Sequence, residues 1–152
     1  MQTQVYRHKI RNITDAMIIR AIELGYDVDK LEWLRLLYTY DGTKEYIKYC
    51  SQWDDARFIT ALLYPIGPAG YASELFTRLK ERRLFKCIYS HKSHDFPPIV
   101  KGYFADTRLD KTLAREIEKK VSEYITKCFG KELSQHYVIA KEFAIKSVRE
   151  QS

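Results

Sequence analysis

The sequence predicts an α+β protein in which a helical lobe at residues 1–83 precedes a small mixed α/β lobe at residues 84–152. Two observations support this division. In the first part, apolar residues recur every three or four positions, as they do in amphipathic helices. From residue 84 onwards, segments rich in β-forming residues alternate with an irregular loop and one long amphipathic stretch.

Five helices are predicted in the helical lobe, at residues 5–24, 31–38, 43–49, 54–64 and 71–83. Breaker and capping residues set their ends. Gly25 is expected to end the first helix, and Asp41-Gly42 separates the second from the third. Asp54 or Asp55 is expected to cap the fourth helix, which the proline- and glycine-rich stretch at 65–70 terminates.

The second lobe is predicted to contain three strands, at residues 84–90, 99–105 and 136–147, although the last could instead continue as helix. A long amphipathic helix is expected at residues 108–129, ended by Gly130. Its apolar face is formed by Leu113, Ile117, Val121 and Ile125.

The composition is that of an ordinary globular protein. Of the 152 residues, 45% are hydrophobic and 30% charged, which argues against a disordered or fibrous chain. Apolar runs fall far short of the ~20 residues of a membrane span, and the first residues lack a signal-peptide apolar region. We therefore expect a soluble, cytoplasmic protein without membrane contact.

The net charge and the cysteine positions indicate which partners and which kinds of site to expect. The net charge of +6 favours anionic partners such as nucleotides, nucleic acid or acidic protein surfaces. Cys50, Cys87 and Cys128 form no CxxC pair, so neither a disulfide framework nor a thiolate zinc site is indicated.

Two basic segments with an aromatic residue stand out, VYRHKIRN at residues 5–12 and KERRLFK at residues 80–86. Lys9, Arg82 and Lys86 could together neutralise much of a triphosphate, since arginine binds phosphate oxygens in pairs and lysine supplies a mobile charge. Arg82 and Lys86 would share one helix face if the fifth helix continued through them. A solvated charged surface without a ligand explains the same spacing.

Three motifs, in a fixed order along the chain, favour a phosphate-binding role for these residues over a solvated surface. The segments YRHKIRNITDAMIIRAIELG, WDDARFITALL and ELFTRLKERRLFK resemble motifs of the HD-domain deoxynucleoside triphosphate triphosphohydrolases, which include the sterile-alpha-motif and HD-domain proteins and their microbial relatives. The resemblance covers most of residues 5–89 and is weak beyond them.

This resemblance implies roles for five residues. Tyr6 would lie against the substrate sugar, while His8 and Lys9 would contact an activating nucleotide, GTP or a deoxynucleotide, at a subunit interface. Arg82 and Lys86 would bind the phosphates of that allosteric activator, which implies a homo-oligomer. Arg7 stands where the family often has a base-contacting polar residue, so the base preference does not carry over.

The same family hydrolyses its substrate with a metal held by a His, a His-Asp pair and a later Asp, none of which matches this sequence. No catalytic residue and no cofactor is therefore expected in this chain, which should not hydrolyse nucleotides alone. The divalent metal is expected in an HD catalytic lobe, which a separate chain could supply.

One further pattern resembles a metal site. His91, His94 and Asp95 form an HxxHD pattern, but Pro97 and Pro98 favour an irregular loop over a helical metal site.

Two other functions remain as alternatives to the nucleotide site. The tyrosines and lysines between residues 38 and 49 would suit base stacking if exposed, as in a module that binds RNA or single-stranded DNA. A structural oligomerisation domain is the third hypothesis.

Overall fold

The computed structural model of the chain describes residues 9–88, 97–98 and 111–141, and it divides into two compact units, residues 1–88 and 89–152. In the described part of the first unit the helices are α1 (Lys9–Asp27), α2 (Glu32–Tyr38), α3 (Lys44–Cys50), α4 (Asp55–Leu63) and α5 (Tyr71–Lys80). The described part of the second unit contains α6 (Lys111–Phe129) and a 3₁₀ turn (Gln135–Tyr137).

The predicted α+β fold is wrong, because the described residues form helices and no strand. Residues 84–88 are irregular, and residues 136–141 are divided between the 3₁₀ turn and irregular chain; the strand predicted at 99–105 lies outside the described ranges. In the first of these segments the Phe85 N–H donates to Met17 Sδ at 3.4 Å. Local β propensity does not produce a strand here, since a strand also needs a neighbouring strand to pair with.

The core of the first unit lies between α1 and α5. Its buried side chains come from four helices: Met17, Ala21 and Leu24, then Leu34, Leu62, and finally Ala72, Leu75 and Phe76. Their spacing on α1 and α5 is the apolar stripe that a helix buries against its neighbours.

Gly25 does not end the first helix, contrary to the sequence prediction, because α1 continues to Asp27. A Cβ at this position would lie 2.9 Å from Leu34 Cδ2 and 3.3 Å from Ala72 Cβ. Glycine is therefore needed here for the close approach of α2 and α5 to α1, at the usual cost of glycine inside a helix.

The predicted helix starts at α3 and α4 are confirmed. The Asp54 carboxylate accepts a hydrogen bond from the Arg57 N–H at 2.7 Å and caps α4. The Thr43 hydroxyl caps α3 by accepting from the Tyr46 N–H. Asp41 accepts from the Thr43 hydroxyl at 2.7 Å and from its N–H at 2.9 Å, and these bonds lower the pKa of Asp41.

The start of α5 is capped from a distance. Asp29, in the turn after α1, accepts hydrogen bonds from the Tyr71 N–H at 3.1 Å and the Ala72 N–H at 2.8 Å. A Cβ at position 70 would overlap the Asp29 carboxylate, so Gly70 gives it access to the helix end. The carboxylate satisfies two N–H groups that have no partner within the helix and complements the positive end of its dipole.

An aromatic cluster joins α2 to α3 and α4. The Trp33 and Trp53 rings stack with centroids 4.6 Å apart, and Phe58 meets Trp33 edge-on at 5.5 Å. The Arg57 guanidinium lies 4.7 Å from the Trp53 ring centroid. Core packing is the role predicted for both tryptophans; their rings are half-buried and pack against neighbouring aromatic rings outside the fully buried core.

In the second unit, a buried carboxylate holds the chain that follows α6. α6 ends before Gly130, whose φ of 65° matches the left-handed residue that commonly closes a helix. Glu118 is 2% exposed, accepts from the Ala140 N–H at 3.0 Å and pairs with Arg115 Nη1 at 3.2 Å. The Leu133 N–H donates to the Thr126 hydroxyl, so residues 130–141 return along the helix.

We predict that Asp29→Ala destabilises the first unit by about 1–2 kcal/mol, the usual loss for a helix cap. Asp29→Asn should lose less, because its amide oxygen can still accept one of the two bonds. Urea unfolding measures both, with Asp27→Ala as the control of equal charge change. Equal unfolding free energies for Asp29→Ala and Asp27→Ala would contradict the capping role.

Candidate anion-binding site

The segment singled out by its positive charge begins where α5 ends. The helix stops at Lys80, and the Arg82 N–H donates to the Leu79 carbonyl at 3.1 Å while the Arg83 N–H donates to the Arg78 carbonyl at 2.8 Å. This pair of bonds is the arrangement that closes many helices through one left-handed residue. The prediction that the helix runs through Arg83 is wrong, so Arg82 and Lys86 do not share a helix face.

Arg82 is the left-handed residue of this turn, with φ of 56°. Glycine is the usual residue here, since a side chain with a Cβ in this conformation costs roughly 1–2 kcal/mol. An arginine in an unfavourable backbone conformation is a reason to expect a role for its side chain. The Arg82 side chain is exposed to solvent.

Three of the five cations between residues 78 and 86 have partners within the first unit. Arg78 donates from Nε and Nη2 to one Glu74 oxygen, both at 3.1 Å. Arg83 Nε lies 2.6 Å from Glu81 Oε2. The third is Lys80.

Lys80 Nζ donates to the Tyr64 hydroxyl at 2.8 Å and lies 5.3 Å from the centroid of that ring. The hydrogen bond, together with the charge interaction with Tyr64, raises the pKa of Lys80. Its ammonium group therefore stays charged at neutral pH but is already engaged with Tyr64, the residue that follows α4.

The side chains of the other two cations, Arg82 and Lys86, have no hydrogen bond or ion pair with any residue in the described ranges, and both residues are exposed. Between them Leu84 and Phe85 are half-buried, and the Phe85 backbone is bonded to Met17 on α1. The segment is thus anchored to the core while its two charged ends face solvent. Such a site can bind an anion without first breaking an internal ion pair.

The remaining predicted site residues belong to the other basic segment. Tyr6 and His8 lie outside the described residues, and Lys9 is described only as the first residue of α1. The Asp29 cap places the end of α1 beside the start of α5, and the Phe85–Met17 bond places the chain after α5 beside the middle of α1.

The two helices therefore run antiparallel, and the start of α1 lies at the same end of the pair as residues 82–86. Lys9 is about 12 Å along the α1 axis from Met17. Whether Lys9 contributes to the same anion site as Arg82 stays a prediction, since the side chain of Lys9 is not described.

The aromatic and lysine stretch at residues 38–49 is divided by the fold. The Tyr46 hydroxyl donates to the Leu37 carbonyl at 2.7 Å, and the Tyr49 hydroxyl donates to the Trp33 carbonyl at 3.4 Å. Both rings are thereby committed to holding α3 against α2. Tyr38 and Tyr40 remain 58% and 69% exposed, so two tyrosines of this stretch are accessible for stacking.

The described residues contain no group of side chains arranged to bind a metal ion. Across residues 9–88 and 111–141, no three His, Cys, Asp or Glu side chains come together as ligands. His91, His94 and Asp95 lie outside the described residues. None of the described helices is both long and apolar enough to cross a membrane.

Comparison with known proteins gives one match. A family model described as "HD associated region" matches residues 1–139. No curated protein and no solved structure matches the chain significantly. The resemblance to HD-domain proteins is confirmed at this level, whereas the assignment to deoxynucleoside triphosphate triphosphohydrolases stays a prediction.

We predict that Arg82→Gly raises the free energy of unfolding by about 0.5–1 kcal/mol, because relief of the left-handed conformation exceeds the added entropy of the unfolded chain. Lys86→Gly is the control at an ordinary backbone conformation and should lower stability. Chemical denaturation of both variants decides the matter. If Arg82→Gly were as destabilising as the control, Arg82 would not carry backbone strain.

Proposed function

Since this chain belongs to the family of HD associated regions, we propose that it is the nucleotide-binding and assembly part of an HD-domain (deoxy)nucleoside triphosphate phosphohydrolase. It binds an activating nucleoside triphosphate, GTP or a deoxynucleotide, through Arg82 and Lys86. It is not catalytic by itself and acts with an HD catalytic lobe that holds the divalent metal.

The observation that carries this proposal is the distribution of partners at the end of α5. Arg78, Lys80 and Arg83 are held by neighbouring side chains, whereas Arg82 and Lys86 are exposed without such partners in the described structure. A planar guanidinium and a mobile ammonium suit adjacent phosphate groups. The presence of arginine in a left-handed conformation that favours glycine supports a role for its side chain.

The association with an HD lobe is proposed from the family match over residues 1–139. α1 carries two exposed isoleucines, Ile10 at 54% and Ile19 at 48%. They are nine residues apart and so lie on opposite sides of the helix, where single apolar residues are an ordinary surface feature. In the proposed assembly the HD lobe contacts this segment, and Tyr6 borders the substrate sugar.

The nucleotide would also link subunits. In the proposal His8 and Lys9 of one chain meet Arg82 and Lys86 of another around the activator, so that the bound triphosphate stabilises a homo-oligomer by mass action. The antiparallel packing of α1 and α5 is compatible with this arrangement, because it places the start of α1 at the same end of the first unit as residues 82–86.

A second candidate function is binding of RNA or single-stranded DNA. The exposure of Tyr38 and Tyr40 favours it, since accessible aromatic rings can stack on bases. The charge around them favours it less, because Asp41 and Glu45 lie beside Lys44. Nucleic-acid binding would increase with strand length and fall steeply with salt, whereas a nucleotide site saturates with one triphosphate.

We predict that Arg82→Ala and Lys86→Ala each weaken binding of GTP or a deoxynucleoside triphosphate by about 1.5 kcal/mol, roughly tenfold, because each removes a charge-assisted hydrogen bond. Fold stability should change by less than about 1 kcal/mol, since both side chains are exposed. Isothermal titration calorimetry measures the affinities. Lys44→Ala, an equal loss of charge on α3, is the control.

If both variants bound the triphosphate as tightly as the Lys44→Ala protein, the charged segment would be a solvated surface and the proposed function would be wrong.

A further inference from the structure

Glu81 is the acidic residue inside the basic segment at residues 80–86, and it directly precedes Arg82. Its Oε2 atom lies 2.6 Å from Arg83 Nε, and the two side chains are 51% and 57% exposed. The ion pair therefore crosses over the left-handed residue. It engages Arg83, which would otherwise, like Arg82 and Lys86, have no side-chain partner among the described residues.

The Glu81–Arg83 ion pair is weak enough for a bound anion to replace Glu81 as the partner of Arg83. A solvent-exposed ion pair changes an equilibrium constant by at most about fivefold. Glu81 offers one negative charge, whereas a chain of phosphates carries several charges and more acceptor oxygens, and arginine–phosphate bonds are commonly bidentate. A polyphosphate beside Arg82 can therefore draw Arg83 away from Glu81, whereas a single phosphate already bound by Arg82 and Lys86 has too few remaining acceptor oxygens to do so.

We propose that Glu81 is a specificity-determining residue that holds Arg83 in reserve and makes the anion site selective for ligands with several phosphates. The inference rests on the proposed anion site. With a monophosphate, Arg82 and Lys86 bind alone and Arg83 stays on Glu81. With a triphosphate, Arg83 moves from the carboxylate to the ligand and becomes its third cationic contact.

The test compares binding of inorganic phosphate and inorganic triphosphate by the full chain, using calorimetry at constant ionic strength. Glu81→Gln should tighten phosphate binding by about three- to fivefold, because Arg83 is released. Triphosphate binding should tighten less, so the preference for triphosphate falls. Glu45→Gln, an equal charge change on α3, should leave the preference unchanged.

The double variant Glu81→Gln/Arg83→Gln identifies the group responsible. The gain in phosphate affinity should disappear, because Arg83 is what supplies it. If the gain in phosphate affinity persisted, Glu81 would act by repelling the anion directly, and its pairing with Arg83 would not determine selectivity. If Glu81→Gln weakened both ligands equally, the ion pair would only stabilise the turn, which also overturns the proposal.

Arg82→Ala separates this inference from the proposed function. If Arg82→Ala bound triphosphate as tightly as the unmodified protein, the proposed anion site would be wrong. If Arg82→Ala weakened triphosphate binding but Glu81→Gln left the preference for triphosphate over phosphate unchanged, the anion site would stand and the role of Glu81 would be wrong. Thermal unfolding of each variant verifies that these exposed substitutions leave the chain folded.

Discussion

The contact between the Asp29 carboxylate and the first N–H groups of α5 fixes the arrangement of the first unit. It joins the end of α1 to the start of α5 across more than forty residues of sequence, and Gly70 leaves the space it needs. With these ends tied together, the buried stripes of α1 and α5 face each other. The antiparallel direction that results places the end of α5 beside the middle and start of α1.

That direction determines where the positive charge is presented. α5 ends in a left-handed turn at Arg82, and the following chain is held to α1 through Phe85. Neighbouring acidic and phenolic groups then engage three of the cations in this region. The core therefore orients the segment, and the surface ion pairs decide which of its charges remain for a ligand. Both effects operate on the same few residues after the helix.

Local sequence signals predicted the parts of this fold that depend on local chemistry. The sequence predicts a cap at Asp54 or Asp55, of which Asp54 is the cap, and a helix end at Gly130, because these residues act on backbone groups within a few residues. Gly25 and Asp29 could not be assigned in this way, since their roles depend on residues that are close only after folding.

The same limit applies to the site. Charge and family resemblance selected Arg82 and Lys86, but helical spacing gave the wrong geometry, because the helix ends before Arg82. The Lys80–Tyr64 and Glu81–Arg83 pairs had no signal in the sequence beyond the charges themselves. The β-forming residues at 84–88 misled for a related reason, since propensity does not reveal whether a partner strand exists.

The central claim, that the end of α5 is an anion site, is tested most directly by nuclear magnetic resonance of the backbone amides during titration with inorganic triphosphate. The account predicts saturable shifts concentrated at residues 80–88, with small shifts at the lysines of α3 and α6. Shifts of equal size at all exposed lysines, without saturation, would contradict it, because they would show that the triphosphate responds only to the net charge of +6.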